Sequence, residues 1–299
     1  MSSGSLQPRP TKNQKREEAR EKARELREEQ AKRDKRKRLI WQIGTVVGVV
    51  AILTAVFFGY QSWQKGQVSA SAGPANMLSD GLVFNSQGPV LTEGIPAGGS
   101  PVATTQDSSS SAVNVTVYYD YLCPYCGQFE TTNGAYLQQL VQNGATLEMH
   151  PIAILTNNSS GTRYSERAAN AFACVANSEP EVALAFNALL FANQPEEGST
   201  GLSDDQLKDF ASQAGATNTN VIDKCISDQQ FKGWVQLATE RALTGPIPNS
   251  ELAKITGTPT ILVNGKQYTG SLTDASEFKA FVVQASSESS ATATPTPTP

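Results

Sequence analysis

The chain has 299 residues, 39% of them hydrophobic, enough for one sizeable core with polar tails in one or two domains. Its net charge of −4 hides an asymmetry: residues 1–38 hold fourteen Lys/Arg and seven Asp/Glu and carry +7, and the rest carries −11. An acidic main body argues against nucleic-acid binding.

The basic segment mixes Glu with Lys/Arg at helical spacing over residues 10–38 and reads as a solvated helix or disordered tail suited to an anionic inner membrane surface. LIWQIGTVVGVVAILTAVFFGY (39–60) follows without a charge. Twenty-two helical residues span about 33 Å, enough to cross a hydrocarbon core of roughly 30 Å. Trp41, Tyr60 and Trp63 stand near its ends, where aromatic rings favour the interface, and KRDKRKR (32–38) keeps the N-terminus cytoplasmic. Everything after Tyr60 is then extracytoplasmic. The rival is a signal peptide cleaved near Ala72, at ASAG (70–73). Its leader would be very long and its apolar run longer than the usual 7–15 residues, so an uncleaved single-pass anchor is expected.

Residues 61–78 read as a polar linker and 79–284 as the folded domain. GLVF (81–84) and GPVLT (88–92) predict a short hairpin. IPAGGSPVATTQDSSSS (95–111) reads as a mobile loop. AVNVTVYYD (112–120) predicts a buried strand running into CPYCGQFE, where a helix should begin, and TLEMHPIAIL (146–155) a second strand. Four stretches with apolar residues three and four apart come next: TRYSERAANAFACVANS, EPEVALAFNALLFANQ, LSDDQLKDFASQAG and NVIDKCISDQQFKGWVQLATERALTG. Asp204 or Ser203 should cap the third. TPTILVNGKQYTG (258–270) predicts a strand, an Asn264-Gly265 turn and a strand, and DASEFKAFVVQA (274–285) a closing helix. ASSESSATATPTPTP (285–299) reads as a disordered tail. This order predicts an α/β fold: a central sheet with helices packed on it and a large helical insertion over about 162–250.

All four cysteines, Cys123, Cys126, Cys174 and Cys225, fall on the non-cytoplasmic side, where an even count favours two disulfides. A bond between Cys174 and Cys225 would close a loop of about 50 residues, worth on the order of 4 kcal/mol, and reads as a structural clamp. A Cys123–Cys126 bond constrains few residues, so its value lies in reactivity. At a helix start, unpaired N–H groups and the positive end of the macrodipole favour the Cys123 thiolate. Pro124 suits the first helical turn, and Cys126, one turn in, is the shielded resolving thiol. A metal site needs four ligands; no second close Cys/His pair exists, and His150, the single histidine, is expected at a strand end with a satisfied ring. No metal and no cofactor is expected.

YYDYLCPYCGQFE after a β-run, RYSERAANAFACV (163–175) and GTPTILVNG (257–265) resemble the DsbA-like group of thioredoxin-fold proteins. The similarity spans residues 80–284 and is to the membrane-anchored extracytoplasmic forms of Gram-positive, especially actinobacterial, envelopes. It implies a thioredoxin-like α/β fold with a large helical insertion, preceded here by one transmembrane helix. It also implies that Cys123 is the nucleophile, Cys126 its partner and Pro259 the cis-proline beside the disulfide. Thr258 would pair its backbone with an extended substrate, flanked by Tyr125 and Pro124. Asp120 and Glu130, either side of the cysteine pair, are candidate proton handlers or solvated carboxylates. Strongly oxidising members often carry His between the cysteines, where this chain has Pro124-Tyr125, a dipeptide also met in reducing glutaredoxins.

The sequence therefore predicts a membrane-tethered protein thiol–disulfide oxidoreductase. It is expected to oxidise cysteines of secreted and envelope proteins and to be reoxidised by a quinone-linked membrane partner of the DsbB or VKOR type. A disulfide reductase or isomerase, a metal-delivery module and a non-catalytic binding protein are the alternatives.

Overall fold

The computed structural model describes residues 71–106 and 113–292. The basic tail 1–38, the transmembrane segment 39–60, most of the linker and residues 293–299 lie outside that range. Among the described residues no helix is long and apolar enough to cross a membrane.

The sheet is built around β3 (Asn114–Tyr119), flanked by β4 (Thr146–Pro151) and β5 (Thr260–Val263). β1 (Leu82–Asn85) and β2 (Gly88–Pro89) extend it beyond β4, and β6 (Lys266–Gln267) ends the other side, giving the order β2-β1-β4-β3-β5-β6. β3 and β4 are parallel, joined by α1 (Pro124–Gln142), and every other pair is antiparallel. All six β3 residues are buried because both faces of the sheet are covered. Val115, Val117 and Tyr119 enter the larger core with Phe129 and Leu137 of α1. Tyr118 faces the other way, among Ile152, Ala242, Ile247, Ile255 and Leu262. There His150 stacks on Tyr118 at 4.3 Å, and its Nε2 lies 3.3 Å from Glu148, so the ring is satisfied.

The insertion comprises α2 (Tyr164–Ser178), a 3-10 turn at Pro180–Val182, α3 (Ala183–Ala192), α4 (Asp204–Gln213), α5 (Thr219–Ser227) and α6 (Lys232–Thr244). Ser203 caps α4 in a reciprocal box with Gln206. A disulfide joins Cys174 of α2 to Cys225 of α5. Asn264 and Gly265 turn the β5–β6 hairpin with φ of 47° and 79°, the pair of positive values that a tight two-residue loop requires. α7 (Ala275–Thr292) closes the chain.

Five sequence expectations need correction. The stretch beginning NVIDKCIS is two helices, because the Asn170 side chain takes the Phe231 N–H at 2.8 Å and Gln229 turns through φ 48°. The strand expected over 146–155 stops at Pro151, since Thr239 and Asp120 capture the next amides, of Ala153 and Leu155. The tail expected from 285 is helical to Thr292: Ala285 is buried, and the Ser286 and Ser287 hydroxyls bond back to the helix carbonyls of Val283 and Gln284. Residues 71–78, expected as linker, pack on the domain, with Met77 fully buried and Asn76 bonded to Ala176 and Thr92. The loop from 95 is likewise held at its start, where Ile95 is buried and Thr104 donates to Glu148 at 2.7 Å.

Candidate active site

β3 ends at Tyr119, and α1 begins at Pro124 after four intervening residues. The turn between them is organised by Asp120. Its carbonyl accepts the Cys123 N–H at 3.0 Å, and its Oδ1 accepts the Leu122 N–H at 2.8 Å. Oδ2 reaches across to the Leu155 N–H at 2.9 Å. Asp120 is fully buried, so the solvated alternative for it fails. Burial pushes its carboxyl up and the backbone N–H groups pull it back. Its oxygens serve the loop backbone, which assigns Asp120 to shaping the turn.

Cys123 is the N-cap of α1 in extended geometry, with Pro124 in the first turn. Cys123 and Cys126 are free thiols here, exposed by 5% and 2%. Pro124 and Tyr125 are exposed, Tyr125 by 61%, and give the site its outer surface. The register Tyr118↔Thr260 brings the strand-opening segment of β5 level with the end of β3. Thr258 and Pro259, joined by a cis bond, therefore meet the sulfurs, and the Cys123 thiol donates to the Thr258 carbonyl at 3.1 Å.

The two sulfurs differ sharply in acidity. The Cys123 thiol is pushed down to about 6, first because the Cys126 thiol donates to the sulfide. Desolvation opposes this, while the Thr258 side chain and the N–H groups of Cys126 and Tyr125 reinforce it. Thr258 offers two groups: its carbonyl accepts from the Cys123 thiol, and its hydroxyl, buried with no hydrogen-bond partner, is available to donate to a thiolate. A bond from the hydroxyl favours ionisation, because only the ionised sulfur gains a full charge-assisted bond. Cys126 moves the opposite way, raised by burial and by its bond to Cys123, although the Asp120 N–H approaches its sulfur at 3.5 Å.

Glu130, one turn beyond Cys126 in α1, is partly buried and pushed up to about 7 by desolvation, against the Asn187 amide that donates to it at 3.0 Å. Asn187 in turn accepts from the Tyr121 hydroxyl at 3.1 Å, which lies 3.3 Å from that of Tyr119. Cys174 and Cys225 are bonded to each other and so cannot join Cys123 and Cys126 around a metal.

Sequence reasoning missed two residues from the insertion. Asn187 carried a signal, a single polar residue inside the apolar run ALAFNALLFA. Gln194, in the loop after α3, carried none. Its amide donates to the carbonyls of Tyr121 and Cys123 at 3.0 and 2.9 Å.

A family model described as Thioredoxin matches residues 104–283. No curated protein matches the chain. Among solved structures it is similar to reduced DsbA from Mycobacterium tuberculosis, at 26% identity, TM-score 0.52, covering 72% of this chain and all of that one. Oxidised BdbD from Bacillus subtilis matches at 19% identity and TM-score 0.51, over 73% of this chain and 98% of its own. MdbA from Actinomyces oris, a thiol-disulfide oxidoreductase, matches at 17% and 0.50 over the same shares. These last two similarities bear on the fold alone.

Proposed function

This chain belongs to the thioredoxin family and is a thiol–disulfide oxidoreductase of the DsbA type, and we propose that Cys123 and Cys126 are its reactive pair, working as an oxidant of protein thiols outside the cell membrane. The observation that carries the proposal is the contrast between the two sulfurs beside the Thr258–Pro259 segment. A thiol titrating at about 6 is about 90% ionised at pH 7, against about 1% at the ordinary 9.0. Stabilising that sulfide favours the dithiol form and makes the disulfide a stronger oxidant.

In the oxidised enzyme a substrate thiolate attacks the Cys123 sulfur. The Cys123–Cys126 bond breaks and its electron pair leaves on Cys126, which takes up a proton because burial holds its acidity low. The substrate's second thiolate then attacks its own sulfur in the mixed disulfide and expels Cys123 as a stable thiolate. Two electrons have passed from substrate to enzyme. An extended substrate segment pairs with the Thr258 backbone, where Pro259 lacks an N–H, and Tyr125 and Pro124 contact it beside the sulfur. A quinone-linked membrane protein of the DsbB or VKOR type takes the electrons away. Residues 39–60 anchor the chain with residues 1–38 in the cytoplasm, and 61–70 lead out to the domain; the clients are secreted and envelope proteins.

The redox potential of the 123–126 pair tests the direction. A value well above that of thioredoxin, near −270 mV, supports the oxidant. A value at or below it assigns the reductase or isomerase reading, which the Pro124-Tyr125 dipeptide favours by lacking an imidazole to stabilise the sulfide. A Cys126→Ala variant should accumulate client proteins disulfide-linked through Cys123.

A further inference from the structure

One side chain of the helical insertion, Gln194, bonds directly to the backbone of the reactive loop. Gln194 sits just beyond α3, its N–H bonded to the Phe191 carbonyl at 3.2 Å. Phe191 is itself buried against Tyr119 and Tyr121, with ring centroids 5.6 and 5.0 Å away, so the base of Gln194 is fixed to the core. From there both amide hydrogens are spent on the turn before α1, one on the Tyr121 carbonyl and one on the Cys123 carbonyl. The other end of the amide lies against α1. A Cβ built on Gly127 would stand 2.1 Å from Gln194 Oε1, closer than any real contact, so the side chain reaches the loop only because residue 127 has none. Two sequence-distant glimpses of the same arrangement thus coincide: a donor pair aimed at the loop, and a glycine that leaves room for it.

We propose that Gln194 is a positioning residue for the thiol chemistry, holding the backbone around Cys123 in place from the insertion. The inference rests on the assignment of Cys123 as the reactive thiol. One of the carbonyls Gln194 engages belongs to Cys123 itself, and it is also the first acceptor of α1, taking the N–H groups of Cys126 and Gly127 at 3.0 and 3.2 Å. Donation by the amide withdraws negative potential from the sulfide. It also fixes the peptide planes after Tyr121 and Cys123, which lead into the first turn of α1, where the N–H groups of Tyr125 and Cys126 support the ionised sulfur. Gln194 touches no reacting atom and acts through the backbone of the loop.

The test measures thiolate absorbance and iodoacetamide alkylation of Cys123 against pH in the full chain, for Gln194→Leu and, separately, Gly127→Ala. Leucine keeps the volume without the donors; alanine keeps the glutamine but pushes its amide off the loop. Each variant should lower the acid dissociation constant of Cys123 on the order of tenfold, the effect of losing about one net hydrogen bond beside a charge. Because both act on one contact, the double variant should show the shift of a single one rather than their sum. Thermal unfolding separates this from simple loosening, since a variant with lowered melting temperature and unchanged Cys123 acidity overturns the proposal. Additive shifts in the double variant overturn it as well. If instead the unaltered protein shows a Cys123 of ordinary acidity, the failure belongs to the assignment of the reactive thiol.

Discussion

Replacing Cys126 by alanine should make Cys123 less acidic. The S–H of Cys126 is the largest contributor to the depressed acidity of Cys123, ahead of the Thr258 side chain and the helix N–H groups. A hydrogen bond to a charged group is worth about 1.5–3 kcal/mol, which corresponds to roughly one to two pH units. The transition should therefore rise from about 6 to roughly 7–8. Cys126→Ser is the discriminating companion, because it keeps an O–H donor in the same place and should stay nearer to 6. The assay is absorbance of the thiolate against pH, checked by the rate of alkylation. A Cys126→Ala midpoint that stays put or falls would refute the reasoning. The helix and the Thr258 side chain would then carry the whole effect, and the thiol pair would not be electrostatically coupled.

Three further outcomes follow from other parts of the molecule. Glu130 binds its proton more tightly folded, at about 7, than its ordinary 4.5, so stability should fall as pH rises between those values by up to about 3 kcal/mol and level off above; Glu130→Gln should flatten that slope in urea unfolding at pH 5 and 8, and an unchanged slope would show that the carboxyl is solvated. Asp120→Ala leaves two buried backbone N–H groups, of Leu122 and Leu155, without acceptors and should cost roughly 2–5 kcal/mol, whereas Asp120→Asn, which retains one acceptor oxygen, should cost less; denaturant titration of the two variants gives the comparison. Replacing Cys174 and Cys225 together by alanine releases a loop with a sequence separation of 51 and should cost about 4 kcal/mol in the chain-entropy view, read as a drop in melting temperature, while alkylation of Cys123 at 25 °C stays unchanged.

Much of the frame was legible because its signals are local. NVTVYY declares a strand by composition, Pro124 and the cysteine spacing mark a helix start, and Asn264-Gly265 marks a hairpin, since only such residues adopt its positive φ values comfortably. The boundaries that failed were decided by partners far along the chain. The break after Ser227 depends on Asn170, 61 positions from the amide it captures, and the early end of β4 depends on Asp120 and Thr239. Periodicity reports which residues face inward but not which distant side chain takes an amide. In the site, the cysteines and Thr258-Pro259 were visible as motifs. Asp120 was noticed but placed by sequence between water and the thiols, whereas it is buried and bonded to backbone. Gln194 could not be singled out, because a glutamine before a proline in a polar loop looks like any other.

The Cys174–Cys225 bond has a bearing on how a disulfide exchanger survives its own chemistry. A thiolate must approach a disulfide along the sulfur–sulfur axis, and what sets this crosslink apart from Cys123 and Cys126 is its setting rather than its exposure: Cys174 and Cys225 lie within α2 and α5, whereas Cys123 caps a helix start beside the exposed Pro124 and Tyr125. The molecule's own crosslink is thus held between two helices, without the helix-start geometry that favours a thiolate at Cys123. Repeated turnover can reset one pair of sulfurs while the other stays out of circulation, and the scaffold that aims the first pair remains the same from cycle to cycle.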